Sequence, residues 1–157
     1  MTPFIEKTNR FDVPPEYCLA WCNDFRPEDD QNLTGGRDLI NVTRLADGRI
    51  KREFVTPLGP FMTVTTVTTP RWVSAGEQYD KKGRVVARWD VTEWVEPDGK
   101  GGTIHHAEIS KPRDTTLKMK IMIPMMRPML KKNLDKLFAN AKTQMEDLYR
   151  SGKPATA

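Results

Sequence analysis

The chain has 157 residues, of which 38% are hydrophobic and 29% are charged, and its formal net charge is +4. This length suits one domain with a buried core, and we place that domain at residues 1–151 with a disordered tail at 152–157. No apolar run approaches the roughly 18 residues of a transmembrane helix, and the N-terminus lacks the charged and apolar segments of a secretory signal. We therefore expect a globular, cytoplasmic protein.

The first elements in chain order are a strand and a helical region. Residues 2–11 alternate weakly between apolar and polar side chains, which predicts a strand. Pro14 and Pro15 then open a helix with a buried face. The apolar positions of that face are Cys18, Leu19, Trp21, Cys22 and Phe25. A second short helical turn is predicted within residues 25–36, where acids suit a helix N-terminus and two glycines mark its end.

The two cysteines, Cys18 and Cys22, lie four residues apart in the predicted helix. Their β-carbons are then about 6 Å apart, which exceeds the roughly 4 Å that a disulfide prefers. A metal pair or redox couple would need a two-residue spacing or further ligands. We predict two free thiols that pack in the core.

The middle of the chain reads as an antiparallel meander. Turn signals recur about every ten to fifteen residues, a spacing typical of hairpins. The intervening runs, which are rich in β-forming residues, cover 39–45, 49–55, 61–69, 72–80, 85–95 and 103–110. Strand character also resumes at residues 115–123, which we interpret as a continuation of the last strand. The sheet thus has about seven strands.

The last third of the chain has the strongest helical periodicity. Apolar residues recur every three or four positions over 128–150, which predicts an amphipathic helix about 35 Å long. Five of the eight methionines lie between Met119 and Met129, at the predicted junction of strand and helix. Methionine suits a site that adapts its shape. We predict that the helix covers the sheet over a cavity whose mouth lies near Met125, Met126 and Met129.

This order of elements resembles the START-like (SRPBCC) superfamily, which has the helix-grip fold of polyketide cyclases, lipid-transfer START domains and plant pathogenesis-related proteins. The opening segment 11–17, with Trp21 and the segment 23–25 after it, is similar to the start of bacterial members. The resemblance implies an α+β fold with a curved antiparallel sheet, two short helices after the first strand, and a long C-terminal helix over a hydrophobic cavity. The superfamily shares no catalytic motif, so the resemblance leaves the function open.

Strand alternation nominates the polar residues that point into such a cavity. Glu93 lies on an otherwise apolar face, where burial would raise its pKa and suit it to proton transfer. Glu77 and His106 are further candidates for acid–base catalysis, and each of these residues can instead form a structural ion pair or lie at a sheet edge. The residues predicted to contact a ligand are Arg52, Phe54, Tyr79, Trp89, Glu93, Met119, Met122, Met125, Met126, Met129, Leu130 and Leu134.

The two histidines, His105 and His106, are adjacent in a predicted strand and point to opposite faces. They cannot readily ligate one ion together, so we predict no metal site. Either histidine can be the one that faces the cavity. The glycines at 99–102 are typical of a hairpin turn rather than a phosphate-binding loop, and we predict no cofactor.

Charge is concentrated in the region Lys111–Lys136, which has eight basic and two acidic residues, a local balance of +6. Such a region can be a solvated surface, or it can bind acidic lipid headgroups, an anionic ligand or an acidic protein partner. The region contains no interleaved aromatic residues and no base-reading motif, so we expect no nucleic-acid binding.

Three functional hypotheses follow from the sequence. The leading one is a non-enzymatic binding or carrier protein for a hydrophobic or aromatic small molecule, such as a lipid, a quinone or a polyketide-like compound. The alternative is a cyclase, dehydratase or hydrolase that acts on aromatic polyketide-like substrates by acid–base catalysis in the same cavity. The third is an interaction module that docks through the basic region.

Overall fold

The computed structural model describes residues 2–25 and 38–156. In this part of the chain, seven antiparallel strands form one sheet in the order β1-β7-β6-β5-β4-β3-β2. The elements are β1 (Ile5–Phe11), α1 (Pro15–Cys22), β2 (Asp38–Arg44), β3 (Ile50–Thr56), β4 (Gly59–Thr68), β5 (Arg71–Tyr79), β6 (Val85–Pro97), β7 (Thr103–Ile109) and α2 (Leu117–Arg150). The predicted α+β class, the seven-stranded antiparallel sheet and the long C-terminal helix are confirmed.

The strands β2 to β7 follow one another as hairpins, and β1 pairs with β7. Glycine residues with positive φ lie in several of the hairpin turns. At the β2–β3 turn, Gly48 has a positive φ of 86°, and its amide donates to the carbonyl of Leu45 at 3.0 Å. A residue with a side chain rarely adopts this backbone conformation, so glycine fixes the turn and with it the register of the hairpin.

The helix α2 is longer than predicted and begins eleven residues earlier, at Leu117. The prediction of a strand at 115–123 and of a helix start at residue 128 is therefore wrong. The alternation of lysine with apolar residues favoured a strand, and the internal prolines Pro124 and Pro128 favoured a later helix start. However, Met119 and Ile123 are buried on one face, four residues apart, which is the helical spacing. The free energy gained by packing that face exceeds the cost of two prolines inside the helix.

The core is densest where α1, the sheet and the second half of α2 meet. Its members are Phe11, Val13, Cys18, Trp21, Trp72, Val95, Ala141, Met145 and Ala155. Both cysteines are free thiols, and their sulfur atoms are 3.9 Å apart. A second, smaller cluster of Ala87, Met119 and Ile123 lies under the first half of α2.

The residues after α2 return to the core. Ala155 is buried in the cluster, and the hydroxyl of Tyr17 donates to the carbonyl of Lys153 at 2.9 Å. The Lys153 carbonyl and the Ala155 side chain therefore contact the domain, whereas the sequence predicts a disordered tail at 152–157. One short helix, α1, lies in the described segment 2–25, and the second turn predicted within 25–36 falls almost wholly outside the described residues.

Membrane-spanning helices are not found in the described ranges, since neither α1 nor α2 has an apolar stretch sufficient to cross a bilayer.

Candidate functional site

A cavity of about 330 Å³ lies between the inner face of the sheet and the helices. Its size is at the lower end of the range for small-molecule sites, about 300–1,000 Å³. Aromatic rings from the sheet, among them Phe61, Trp72 and Trp89, form much of one wall, and Met126 and Leu134 of α2 belong to the opposite wall. The lining is predominantly apolar, with a few polar side chains directed into it.

A row of residues across four neighbouring strands forms the floor of the cavity. In the strand register, Trp89 is opposite Gly76, Gly76 is opposite Thr63, and Thr63 is opposite Arg52. Glycine is needed in this row because a β-carbon at Gly76 would lie only 2.9 Å from Cζ of Phe61. The Phe61 ring occupies that space and lies 5.6 Å from the Trp89 ring, centroid to centroid.

Glu93 and His105 form the centre of a polar cluster in the cavity wall. His105 Nε2 is 3.1 Å from Glu93 Oε1, and Trp72 Nε1 donates to Glu93 Oε2 at 2.7 Å. On the far side of the imidazole, the amide nitrogen of Asn9 lies 3.1 Å from His105 Nδ1. A carboxylate only accepts, so the hydrogen of the contact with Glu93 is on Nε2.

The surroundings of Glu93 keep it ionised. Burial by itself raises the pKa of this carboxyl, but the hydrogen bond and charge interaction with His105 outweigh that effect, with further help from the Trp72 hydrogen bond and the charge of Arg52. The net pKa of Glu93 is lower than that of an ordinary glutamate. This is the reverse of the raised pKa that its predicted burial suggested.

Arg52 extends over the cavity floor between aromatic rings. Its guanidinium carbon is 5.0 Å from the centre of the Phe25 ring and 5.5 Å from that of Phe54. Stacking of this kind holds a guanidinium in place while its charge acts on its surroundings. The site thus contains one ionised carboxylate and one cation.

Two polar groups in the wall have no hydrogen-bond partner among the described residues: Trp21 Nε1 and Thr63 Oγ1. The two residues are 6% and 4% exposed, and both line the cavity. A buried polar group without a partner costs on the order of 1–3 kcal/mol. These two groups are therefore available to a polar atom inside the cavity.

Cys22 also lines the cavity. The hydrogen bond with Cys18, together with burial, raises the pKa of the Cys22 thiol well above its ordinary value. The thiol is therefore protonated at neutral pH and is a poor nucleophile.

The structure brings about half of the predicted site residues to the cavity. Those that line it are Arg52, Trp89, Glu93, Met126, Met129, Leu130 and Leu134. Those that lie elsewhere are Phe54, Glu77, Tyr79, His106, Met119, Met122 and Met125.

Glu77 and Tyr79 lie on the outer face of the sheet. Trp72, Ser74 and the other even-numbered residues of β5 point inward, so the odd-numbered ones point outward. Glu77 accepts hydrogen bonds from Arg88 Nε at 2.9 Å and from the Tyr79 hydroxyl. Val73 and Ala75 make the outer face of β5 partly apolar. This explains why the sequence wrongly predicted that Glu77 and Tyr79 face the cavity.

His106 is on the outer face as well, where its Nε2 lies 3.2 Å from Glu96 Oε1 and its ring stacks on Trp94 at 4.8 Å. The histidine of the cavity is His105, the other of the two that the sequence left open.

Phe54 and Met119 are buried in the core instead. Met125 is exposed, because the helical geometry of its segment points it away from the sheet.

Sequence reasoning missed several residues of the site. Trp21 and Cys22 were assigned to the core, and Thr63 and Trp72 were not singled out at all. The alternation of β4 and β5 carried a signal for the last two, since it places them on the same face as Arg52. For Trp21 the sequence carried no such signal, because only the packing of α1 against the sheet directs its indole into the cavity.

No group of three or more His, Cys, Asp or Glu side chains suited to hold a metal ion occurs within residues 2–25 and 38–156.

No protein-family model matches the sequence, and no curated protein matches it. Solved structures do match. A START superfamily protein from Mycobacterium smegmatis has a TM-score of 0.62 at 14% identity, and the match covers 92% of this chain and 97% of that one. A conserved protein from Geobacillus kaustophilus has a TM-score of 0.65 at 9% identity, covering 91% and 95%.

The AHSA1 protein from Silicibacter pomeroyi gives a similar result, with a TM-score of 0.58 at 16% identity over 90% of this chain and 96% of that one. At identities this low, the superposition shows the fold alone and leaves the activity open. Nearly the whole length of each protein is superimposed, so the likeness extends to the order of strands and the closing helix. The chain therefore has the START-like, helix-grip fold.

Proposed function

We propose that the protein binds or carries a hydrophobic or aromatic small molecule in the cavity between the sheet and α2. The observation that carries this proposal is the cavity itself, about 330 Å³ in volume, with a largely apolar wall and a few polar groups at fixed positions. This combination is typical of small-molecule sites, in which apolar contact supplies affinity and a few polar groups set the orientation. Lipids, quinones and polyketide-like compounds have the required chemistry.

The polar groups of the wall favour a ligand with a hydrogen-bonding group at one end. The Trp21 indole N–H can only donate, and the Thr63 hydroxyl can donate or accept. Each of these unpartnered groups can donate to a carbonyl, hydroxyl or carboxylate oxygen of a ligand. Arg52, on the same floor, favours an oxygen that carries partial or full negative charge. The apolar remainder of the ligand would then lie against Trp89 and the methionines of α2.

The polar cluster is better suited to binding than to catalysis. Both oxygens of Glu93 and both ring nitrogens of His105 already have protein partners. The lowered pKa of Glu93 makes it a weak base and leaves it without a proton to donate near neutral pH. In this arrangement, the pair fixes the shape and charge of the wall.

The proposal is tested by measuring ligand binding to the wild type and to a variant in which a larger side chain fills the cavity. Leu134→Trp places an indole in the cavity and should abolish the increase in unfolding temperature caused by lipids, quinones or aromatic polyketides. Native mass spectrometry measures the same loss as a missing ligand adduct. Leu117→Trp is the matched control, because Leu117 is exposed on the same helix and outside the cavity. Failure of the wild-type protein to bind any compound of these classes would contradict the proposal.

A second candidate function is acid–base catalysis on an aromatic polyketide-like substrate, as a cyclase, dehydratase or hydrolase. The observation that favours it is the Glu93–His105 pair in the cavity wall. If the pair is catalytic, Glu93→Gln abolishes turnover in a protein that still folds and binds the substrate. Unchanged turnover in that variant would show that Glu93 is not catalytic. Absence of turnover in the wild type would contradict the catalytic function, and binding would remain as the proposed function.

A further inference from the structure

The first half of α2 carries a row of apolar side chains that project from the protein. Leu117, Ile121 and Met125 are 76%, 61% and 77% exposed. They are four residues apart and therefore neighbours on one helix face. Scattered apolar residues are common on protein surfaces, but a contiguous row marks an interaction surface. We refer to these three residues as the apolar row.

Basic side chains flank the apolar row on both sides. With about 100° of rotation per residue, Lys120, Arg127 and Lys131 fall on one side of the row and Lys118 on the other. Lys132 lies in line with the row, about two turns beyond Met125. All five are exposed. The sequence from residue 117 to residue 134 contains no acidic residue to balance them. This charge pattern is complementary to an anionic bilayer, in which phosphates lie just outside the acyl chains.

The apolar row leads to the wall of the cavity. Residues four apart advance by about 40° around a helix, so the next member of the series, Met129, is turned toward the sheet. Met129 is 45% exposed and also lines the cavity. On the other flank of the helix, the guanidinium of Arg127 lies 5.4 Å from the ring of Phe4, another residue of the cavity wall. The wall thus reaches the surface at the end of the row.

We propose that the apolar row docks on an anionic lipid bilayer and that the cavity exchanges its ligand with that bilayer past Met129. Leu117, Ile121 and Met125 enter the boundary between headgroups and acyl chains, and the five bases lie at the level of the phosphates. A second copy of the chain is a poorer partner for the apolar row, because the centres of protein interfaces are depleted in lysine. The exchange step rests on the proposed ligand binding, whereas the docking step does not.

Vesicle flotation tests the docking. Vesicles of phosphatidylcholine mixed with an equal part of phosphatidylglycerol should carry the wild-type protein, and vesicles of phosphatidylcholine alone should carry much less. Replacing the row (Leu117→Ser, Ile121→Ser and Met125→Ser together) should weaken binding to the mixed vesicles by about tenfold or more, because the apolar contact is lost. Replacing the bases (Lys120→Gln, Lys131→Gln and Lys132→Gln) should weaken binding and reduce its salt dependence.

The matched control replaces three exposed apolar residues of the sheet, Ile40, Val55 and Val73, with serine and should leave binding unchanged. Circular dichroism establishes that each variant keeps its helix. Equal binding by the row variant and the control would overturn the proposal, since adsorption would then depend on charge alone. A dimer in ultracentrifugation that the row variant abolishes would also overturn it, in favour of a second copy as occupant.

The two proposals fail separately in these experiments. Leu134→Trp should float with mixed vesicles as the wild type does while binding no ligand in solution. The row variant should bind ligand in solution while losing the vesicles. If the wild type floats with the vesicles but binds no ligand in solution, the docking is supported and the exchange step is contradicted. Ligand binding without flotation would overturn the docking and leave the proposed function intact.

Discussion

Glu93 is the residue whose chemistry depends most on its partners. A carboxylate on the inner face of a sheet is expected to hold its proton, because burial disfavours the charged form. Here His105 and Trp72 supply hydrogen bonds to both oxygens, and Arg52 adds a favourable charge, so the net pKa of Glu93 falls. The stability contributed by this carboxylate is therefore present above its unfolded pKa and lost as the pH falls through its folded pKa.

Glu93→Gln should lower the free energy of unfolding at pH 7 by about 1–3 kcal/mol, because it removes an ionised acceptor from a buried cluster. The difference from the wild type should shrink as the pH falls from the ordinary glutamate value of 4.5 through the lower folded pKa, below which the wild-type side chain is protonated too. Denaturant unfolding at a series of pH values measures this difference. Glu96→Gln, at an exposed glutamate, is the control, and a difference for Glu93 that stays constant with pH would contradict the account.

At the scale of elements, α2 performs two structural tasks along its length. Its second half seals the core, where Ala141 and Met145 are buried beside α1. Residues of both halves line the cavity, and the first half also carries the apolar row on its outer side. The helix has 34 residues, so it is about 51 Å long at 1.5 Å per residue. That length exceeds what the core alone requires and allows one element to close both regions.

This division predicts different costs for two methionines of the same helix. Met145→Ala should lower the free energy of unfolding by about 2–5 kcal/mol, because it leaves a cavity in a fully buried position. Met125→Ala, at an exposed position, should change it by less than about 0.5 kcal/mol. Denaturant unfolding of the two variants measures both values. Similar costs at the two positions would show that α2 does not divide in this way.

At the scale of the whole molecule, the first and last strands of the chain are neighbours in one sheet. The first strand pairs with the last, with Ile5 opposite Ile109 in the register, and Lys7 of β1 forms an ion pair with Asp135 of α2. The cavity wall takes residues from the sheet and from both helices. A site assembled from all parts of a domain requires that the domain fold as one unit.

Ile5→Ala should therefore destabilise the whole domain rather than fray one edge strand. Ile5 is buried, and its truncation should lower the free energy of unfolding by about 2–5 kcal/mol. Tryptophan fluorescence, which reports on the cavity, and far-ultraviolet circular dichroism should both shift to the same new midpoint. A fluorescence transition that stays at the wild-type midpoint while the other moves would indicate that β1 unfolds separately.

The sequence by itself determined the sheet and the existence of its closing helix. Turns such as Asp47–Gly48 and period-two runs of β-forming residues are local signals, so the seven strands could be read directly. Alternation also placed Arg52, Trp89 and Glu93 on the inner face. These predictions held because each depends on residues that are close together in the chain.

Only the tertiary structure decided where α2 begins, which histidine faces the cavity, and how Glu93 titrates. The segment 115–123 is compatible with strand alternation and with helical spacing, and its packing over the sheet selects the helix. His105 rather than His106 points inward because pairing with β1 and β6 sets the face of β7. The pKa of Glu93 depends on Trp72 and His105, which lie 21 and 12 residues away along the chain. Such contacts are made across the fold, so no local pattern contains them.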